Sequence, residues 1–206
     1  MYVPKHFAED DLAVLHDLMR ANPLATLVGH GPDGLDANHV PLLLDATGGA
    51  NGTLRGHLAR ANPLARPGAV DGEILVVFQG PACYISPSGY ATKAEHGKVV
   101  PTWNYTAVHA HGELKMIDDP DWIFAQISAL TAANEAGLPQ PWAVNDAPAD
   151  YIEKMLGAIV GIEIAITRLL GKWKVSQNQP PANQASLIRV LAGMPMGELI
   201  RQQQQQ

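Results

Sequence analysis

The sequence predicts an α+β fold built on an antiparallel β-barrel. Three observations predict it. Short segments of β-type composition recur at close spacing, about six to eight of them, and Gly/Pro/Asn/Asp turns link the early ones. Helical periodicity is confined to the start of the chain, the stretch after the longest strand, and the end. So many short antiparallel strands leave sheet edges, and closing the sheet into a barrel removes them.

The elements follow in order. Leu12, Leu15, Leu18 and Met19 recur at helical spacing within Glu9 to Arg20, Asp10 and Asp11 suit a helix start, and Asn22-Pro23 ends it. Leu24 to Gly29 and Leu35 to Asp45 read as two strands of a hairpin turning at Gly31-Pro32-Asp33-Gly34. After the glycine-rich turn at 48–52, Thr53 to Leu58 is a third strand, and Ala59 to Gly68 a loop or short helix. Glu73 to Gln79 is a buried strand broken by Gly80-Pro81, with a further short strand from Cys83 to Ser86. Ser88 to Lys98 reads as a loop, and Val99 to about Met116 as the longest strand. Asp118-Asp119-Pro120 starts a helix, with Ile123, Ile127 and Leu130 on its apolar face. A short helix fits Pro148 to Leu156, strands fit Ile159 to Leu169 and Lys172 to Gln177, and helices fit Asn183 to Leu191 and Gly197 to Arg201. The closing glutamines, 202–206, suit a frayed helix end. No repeat or composition shift divides the chain, so a single domain over 1–206 is expected, with C-terminal helices from about 183.

Composition narrows the function. The 206 residues carry a net charge of −6, which argues against a general nucleic-acid surface but leaves room for a local basic patch. The single cysteine, Cys83, can form neither an intrachain disulfide nor a cysteine-based zinc site. The N-terminus lacks a signal-peptide core and no apolar run would span a bilayer, so a cytoplasmic protein is expected, with no membrane partner.

Four stretches carry polar chemistry. In Asn38-His39-Val40-Pro41 the proline implies a strand edge, where free backbone groups can meet a ligand; a histidine bonded to neighbouring backbone explains it as well. Arg60 and Asn62 leave a strand for a loop or helix start, which suits a phosphate or a plain surface turn. Thr102-Trp103-Asn104-Tyr105 puts ring and amide groups on both faces of a strand, which points to something docking there. Trp173-Lys174-Val175-Ser176-Gln177-Asn178 mixes an aromatic, a cation, a hydroxyl and amides, as a ligand wall or a solvated edge would. His109 and His111 share a strand face, but spacing points to no third ligand, and no metal site is expected. There is no glycine-rich phosphate loop and no nucleophile elbow.

Taken together these runs resemble the PaiB-type family of FMN-binding transcriptional regulators, within the flavin split-barrel superfamily. The matching runs are Met1-Tyr2-Val3-Pro4-Lys5-His6-Phe7, Asn38-His39-Val40-Pro41, 56–63, and Phe78-Gln79-Gly80-Pro81, followed by Tyr84-Ile85-Ser86-Pro87-Ser88, Val100-Pro101-Thr102-Trp103-Asn104-Tyr105 and Lys174-Val175-Ser176-Gln177-Asn178. The family usually has tryptophan where this chain has Gly89. The resemblance implies a six-stranded FMN-binding split barrel, a homodimer with FMN at the subunit interface, and a role in negative transcriptional regulation, with DNA met through a surface the sequence does not reveal. It places the phosphate near Arg60 and Asn62, with Lys174 and Ser176 as further candidates. Thr102, Trp103, Asn104 and Tyr105 would meet the ring system, and Asn38, His39 and Val40 would line it. Two other uses of the same fold stay open: a flavin-dependent oxidoreductase, and a haem-binding or haem-degrading protein using His39, His57, His109 or His111.

Overall fold

In the computed structural model, which describes residues 1–32 and 34–204, the chain runs β1 (Ala8–Glu9), α1 (Leu12–Ala21), β2 (Leu24–Gly31), β3 (Gly34–Pro41), β4 (Leu43–Asp45) and β5 (Thr53–Ala59). It continues with β6 (Ile74–Ile85), α2 (Lys93–His96), β7 (Thr102–Ile117), α3 (Pro120–Glu135) and α4 (Ala149–Gly157). β8 (Ile159–Lys174), α5 (Pro181–Val190) and α6 (Pro195–Gln203) complete it. Asp33, in the expected hairpin turn, and Gln205 and Gln206, in the expected glutamine tail, lie outside the described residues. No helix among the described residues is long and apolar enough to cross a membrane.

The contacts group into two units, and β6, β7 and β8 each supply a segment to both. One unit holds Met19–Phe78 and His109–Leu169. In it β2 pairs with β3 along the whole hairpin, from Leu24 opposite Pro41 to Gly31 opposite Gly34. Gly34 takes φ +98°, a turn conformation that a side chain would strain. β4 pairs with β5, and β5 with β8 from Thr53 opposite Ala165 to Ala59 opposite Ile159. The strand order is β3-β2-β6-β7-β8-β5-β4. Only Leu42 separates β3 from β4, so one stretch of chain forms both ends of the sheet and the barrel closes on itself. Leu27, Leu54, Ile74, Val76, Ile162 and Ile164 fill it, each fully buried. Asp119 caps α3, its carboxylate accepting from the N–H groups of Asp121 and Trp122, with Pro120 at the first helical position as the sequence predicts. The Trp122 indole lies where a side chain on Gly161 would sit, which explains a glycine in the middle of β8.

The other unit holds Met1–Leu18, Gln79–Val108 and the chain from Leu170 onwards. β1 pairs with the end of β8, Ala8 opposite Lys172 and Glu9 opposite Gly171. Asp11 starts α1, accepting from the N–H of Ala13 at 2.8 Å. Thr106 and Leu18 press on Gly80, and a Cβ there would overlap the Thr106 hydroxyl. Asn183 of α5 accepts from the Thr92 N–H at 3.0 Å and joins the 86–97 segment to the C-terminal helices, whose Leu187, Met196 and Ile200 are buried. Leu187 also approaches to 3.0 Å of the Cβ position of Gly89. A side chain at position 89 would therefore meet Leu187 of α5.

Four differences from the sequence reading have local causes. The strand expected from Leu35 to Asp45 breaks at Leu42, whose N–H leaves the ladder and donates to the Pro23 carbonyl at 2.9 Å. The two strands expected on either side of Gly80-Pro81 are one, β6, because pairing with β2 runs only from Leu75 to Val77 and beyond it a proline needs no partner on that side. Likewise Ile159 to Lys174 is one strand, carried through Gly171 by its pairing with β1. A short helix, α2, lies within the expected loop. Among the described residues the sheet counts eight strands; with β3 and β4 taken as one stretch and the two-residue β1 set aside, six remain.

Candidate functional site

The predicted residues fall into two clusters, one in each unit. In the unit that contains the chain ends, Thr102, Trp103, Asn104 and Tyr105 open β7, while Lys174 ends β8 and Ser176 follows it. Alternation splits the first four. Asn104 is 1% exposed, whereas Trp103 is 58% exposed. The Asn104 amide donates to the Ser176 hydroxyl at 2.8 Å, a bond buried at both ends. Ser176 has φ +64°, the one described non-glycine residue with positive φ. Such a conformation costs on the order of 1 kcal/mol and persists where surrounding bonds hold it. Gln177 supplies two more: its carbonyl oxygen accepts from the Val175 N–H, and its amide donates to the Trp173 carbonyl. This self-bonded turn fixes Lys174, whose ammonium donates to the Thr102 hydroxyl at 2.5 Å.

Two groups that the sequence reading did not assign to the site belong to the same cluster. Tyr84, half-exposed on β6, meets the Trp103 ring edge to face with centroids 5.9 Å apart. Lys172, buried, donates to the Tyr2 carbonyl and lies 5.2 Å from the centre of the Tyr105 ring. Alternation from Lys174 along the expected last strand could have found Lys172. Tyr84 stands in one of the family runs but carried no site signal of its own, because a tyrosine on a strand is ordinary core composition.

In the other unit the Asn62 amide donates to the Asn38 carbonyl oxygen at 2.8 Å, so two predicted residues 24 positions apart meet directly. Asn38 in turn donates to Asp36, and Asn62 accepts from the Leu64 N–H. His39 is exposed on β3 and Val40 is buried beside it. Arg60 turns away from this pair. Its guanidinium meets both oxygens of Asp118, at 2.7 and 3.1 Å, and the carbonyls of Gly157 and Ile159. Hydrogen bonds from Arg60 hold the Asp118 carboxyl below the usual carboxylate range. Of the acids that the sequence places at the start of this helix, Asp119 caps α3 and Asp118 is the arginine's partner.

His109 and His111 lie on β7 in this unit, and burial pushes both imidazoles down from the ordinary value of 6.5. Nδ1 of His109 and Nε2 of His111 are buried without a hydrogen-bond partner. Above the ordinary value both folded and unfolded chains hold these rings neutral. As pH falls through it, the unfolded chain takes up protons that the folded chain resists, so stability declines until the lower folded values are passed. The urea midpoint is expected to be lower at about pH 5 than at about pH 7.5, and replacing both residues by glutamine should shrink that difference.

Fold and strand order together define a flavin-type split barrel. A flavocytochrome from Azotobacter vinelandii superposes with a TM-score of 0.60 at 14% identity, covering 84% of this chain and 72% of its own. An FAD- and haem-binding protein from Mycobacterium smegmatis superposes with a TM-score of 0.57 at 18% identity, covering 81% and 73%. At such identities the likeness is one of fold. The sequence carries the finer assignment: residues 1–168 match the family model described as "Putative FMN-binding domain", and the chain belongs to that FMN-binding, PaiB-type family. Among its relatives, an uncharacterized protein from Emericella nidulans is 35% identical, covering 91% of this chain and 89% of its own. The protease synthase and sporulation protein PAI 2 of Bacillus subtilis is 29% identical over 93% and 89%.

Proposed function

We propose that this chain is a homodimeric, cytoplasmic regulator that holds FMN and acts in negative control of transcription, with residues 1–206 working as one domain. The observation that carries this reading is the near full-length similarity to the Bacillus protein, whose name ties it to sporulation. The side chains suit the cofactor. Exposed Trp103 and half-exposed Tyr84 offer faces and edges for a flat heteroaromatic ring, and Lys174, in the same unit, keeps two N–H donors beyond its bond to Thr102. When bound, FMN supplies reversible electron acceptance; the chain's own groups bind and orient it.

The regulatory role is tested by adding a nicotinamide cofactor and operator DNA to the FMN-loaded protein. The expected results are a flavin spectrum left unbleached by the nicotinamide, a dimer by light scattering, and DNA binding that weakens steeply with salt. With a net charge of −6, that binding must rest on a few local cations. Arg189 on α5 is one such cation, whereas Arg201 on α6 is already paired with Glu198. Rapid bleaching without DNA binding would replace this reading with an oxidoreductase. A Soret band on adding haemin, with no flavin uptake, would replace it with haem handling.

A further inference from the structure

We infer that the cation meeting the FMN phosphate is Lys174, seated by a buried Asn104–Ser176 clasp, and that Arg60 is a structural tie. The inference rests on the FMN reading above and assigns roles within it. A guanidinium has five N–H donors. Four of those on Arg60 are spent, two on Asp118 and one each on the carbonyls of Gly157 and Ile159, and its charge is balanced by the carboxylate. A phosphate at Arg60 would have to displace Asp118 or accept a single remaining N–H beside a like charge. Lys174 differs on each count. Its ammonium has three donors and spends one, on the neutral Thr102 hydroxyl, and no carboxylate among the described residues pairs with it. An unneutralised ammonium beside a hydroxyl is a donor set that suits a phosphate monoester.

Ser176 and Asn104 then act through Lys174. At 2% and 1% exposure both are shut off from a ligand at the surface, and the Asn104 amide gives an N–H to Ser176. What the pair holds is the left-handed turn at Ser176, closed by Gln177 on Val175 and Trp173, which sets where the Lys174 stem leaves β8. They are positioning residues.

Comparing FMN with riboflavin, which shares the ring and ribityl chain but lacks the phosphate, isolates this contact. Dissociation constants are measured by flavin fluorescence for the wild-type chain and for Lys174→Met, Lys174→Arg, Arg60→Met and Ser176→Ala. Wild type should prefer FMN. Lys174→Met should lose about tenfold or more of that preference with riboflavin affinity unchanged, and Lys174→Arg should restore most of it. Arg60→Met should keep the preference. Ser176→Ala should lower it without moving riboflavin affinity, a split that a general loss of structure would not produce. Lys174→Gln repeats the test if the methionine variant does not fold. Retained preference in the lysine variants, or lost preference in Arg60→Met, would overturn the assignment. Failure of wild type to bind either flavin would instead overturn the cofactor reading beneath it.

Discussion

Replacing Gly112 with valine is expected to destabilise the barrel by about 3 kcal/mol or more, read as a fall in urea midpoint at unchanged slope. Gly112 is buried in β7. A Cβ placed on it would overlap the backbone carbonyl oxygen of Ala165 and stand 2.8 Å from Cγ2 of Ile164. A flexible side chain could swing aside, but a carbonyl in a neighbouring strand cannot move without dragging its ladder. Ala165 is also held from its far side, since it pairs with Thr53 of β5. Valine adds two methyl groups to that collision and is stiff about its first torsion. A change below about 1 kcal/mol would show that the Ala165 carbonyl does not stand in the way of a side chain at position 112.

The second large effect is expected at Asn104. Asn104→Ala should cost about 2–4 kcal/mol, the sum of a buried cavity and a buried hydroxyl left without its donor. The donor lost is the one that reaches Ser176, so the left-handed turn loses a main restraint. Ser176→Gly separates the two contributions, because glycine adopts the same backbone conformation without strain while removing the hydroxyl. The glycine variant should therefore be less destabilised than Asn104→Ala. Equal losses in chemical denaturation would mean that the turn stores no strain.

Much of this was legible in the sequence, and the parts that were not share a cause. The β2–β3 hairpin, the Asp119-Pro120 start of α3 and the C-terminal helices follow from turn chemistry, capping and periodicity, all of which act over a few residues. The six-stranded barrel was legible from the family runs. The continuity of β6 through Gly80-Pro81 was not, because it depends on where pairing with β2 ends and on the Thr106 hydroxyl filling the space above Gly80. Among the site residues, alternation alone separates exposed Trp103 from buried Asn104, but nothing local says that Asn104 bonds to a serine 72 positions away. Arg60 is the sharper example. An arginine beside an asparagine at a strand end has the composition of a phosphate site, and only the fold reveals that Asp118, 58 positions on, takes up its guanidinium. Long-range polar partners decide whether a charged side chain is free for a ligand, and they are what a one-dimensional reading lacks.

Flavin binding by this cluster is tested by titrating the flavin-stripped wild-type chain with FMN, followed by flavin fluorescence and anisotropy. A saturable change at about one FMN per chain is expected, with tryptophan emission quenched in step because Trp103 is the exposed indole of the cluster. Flavin fluorescence and anisotropy that stay at their free values at millimolar protein would contradict it.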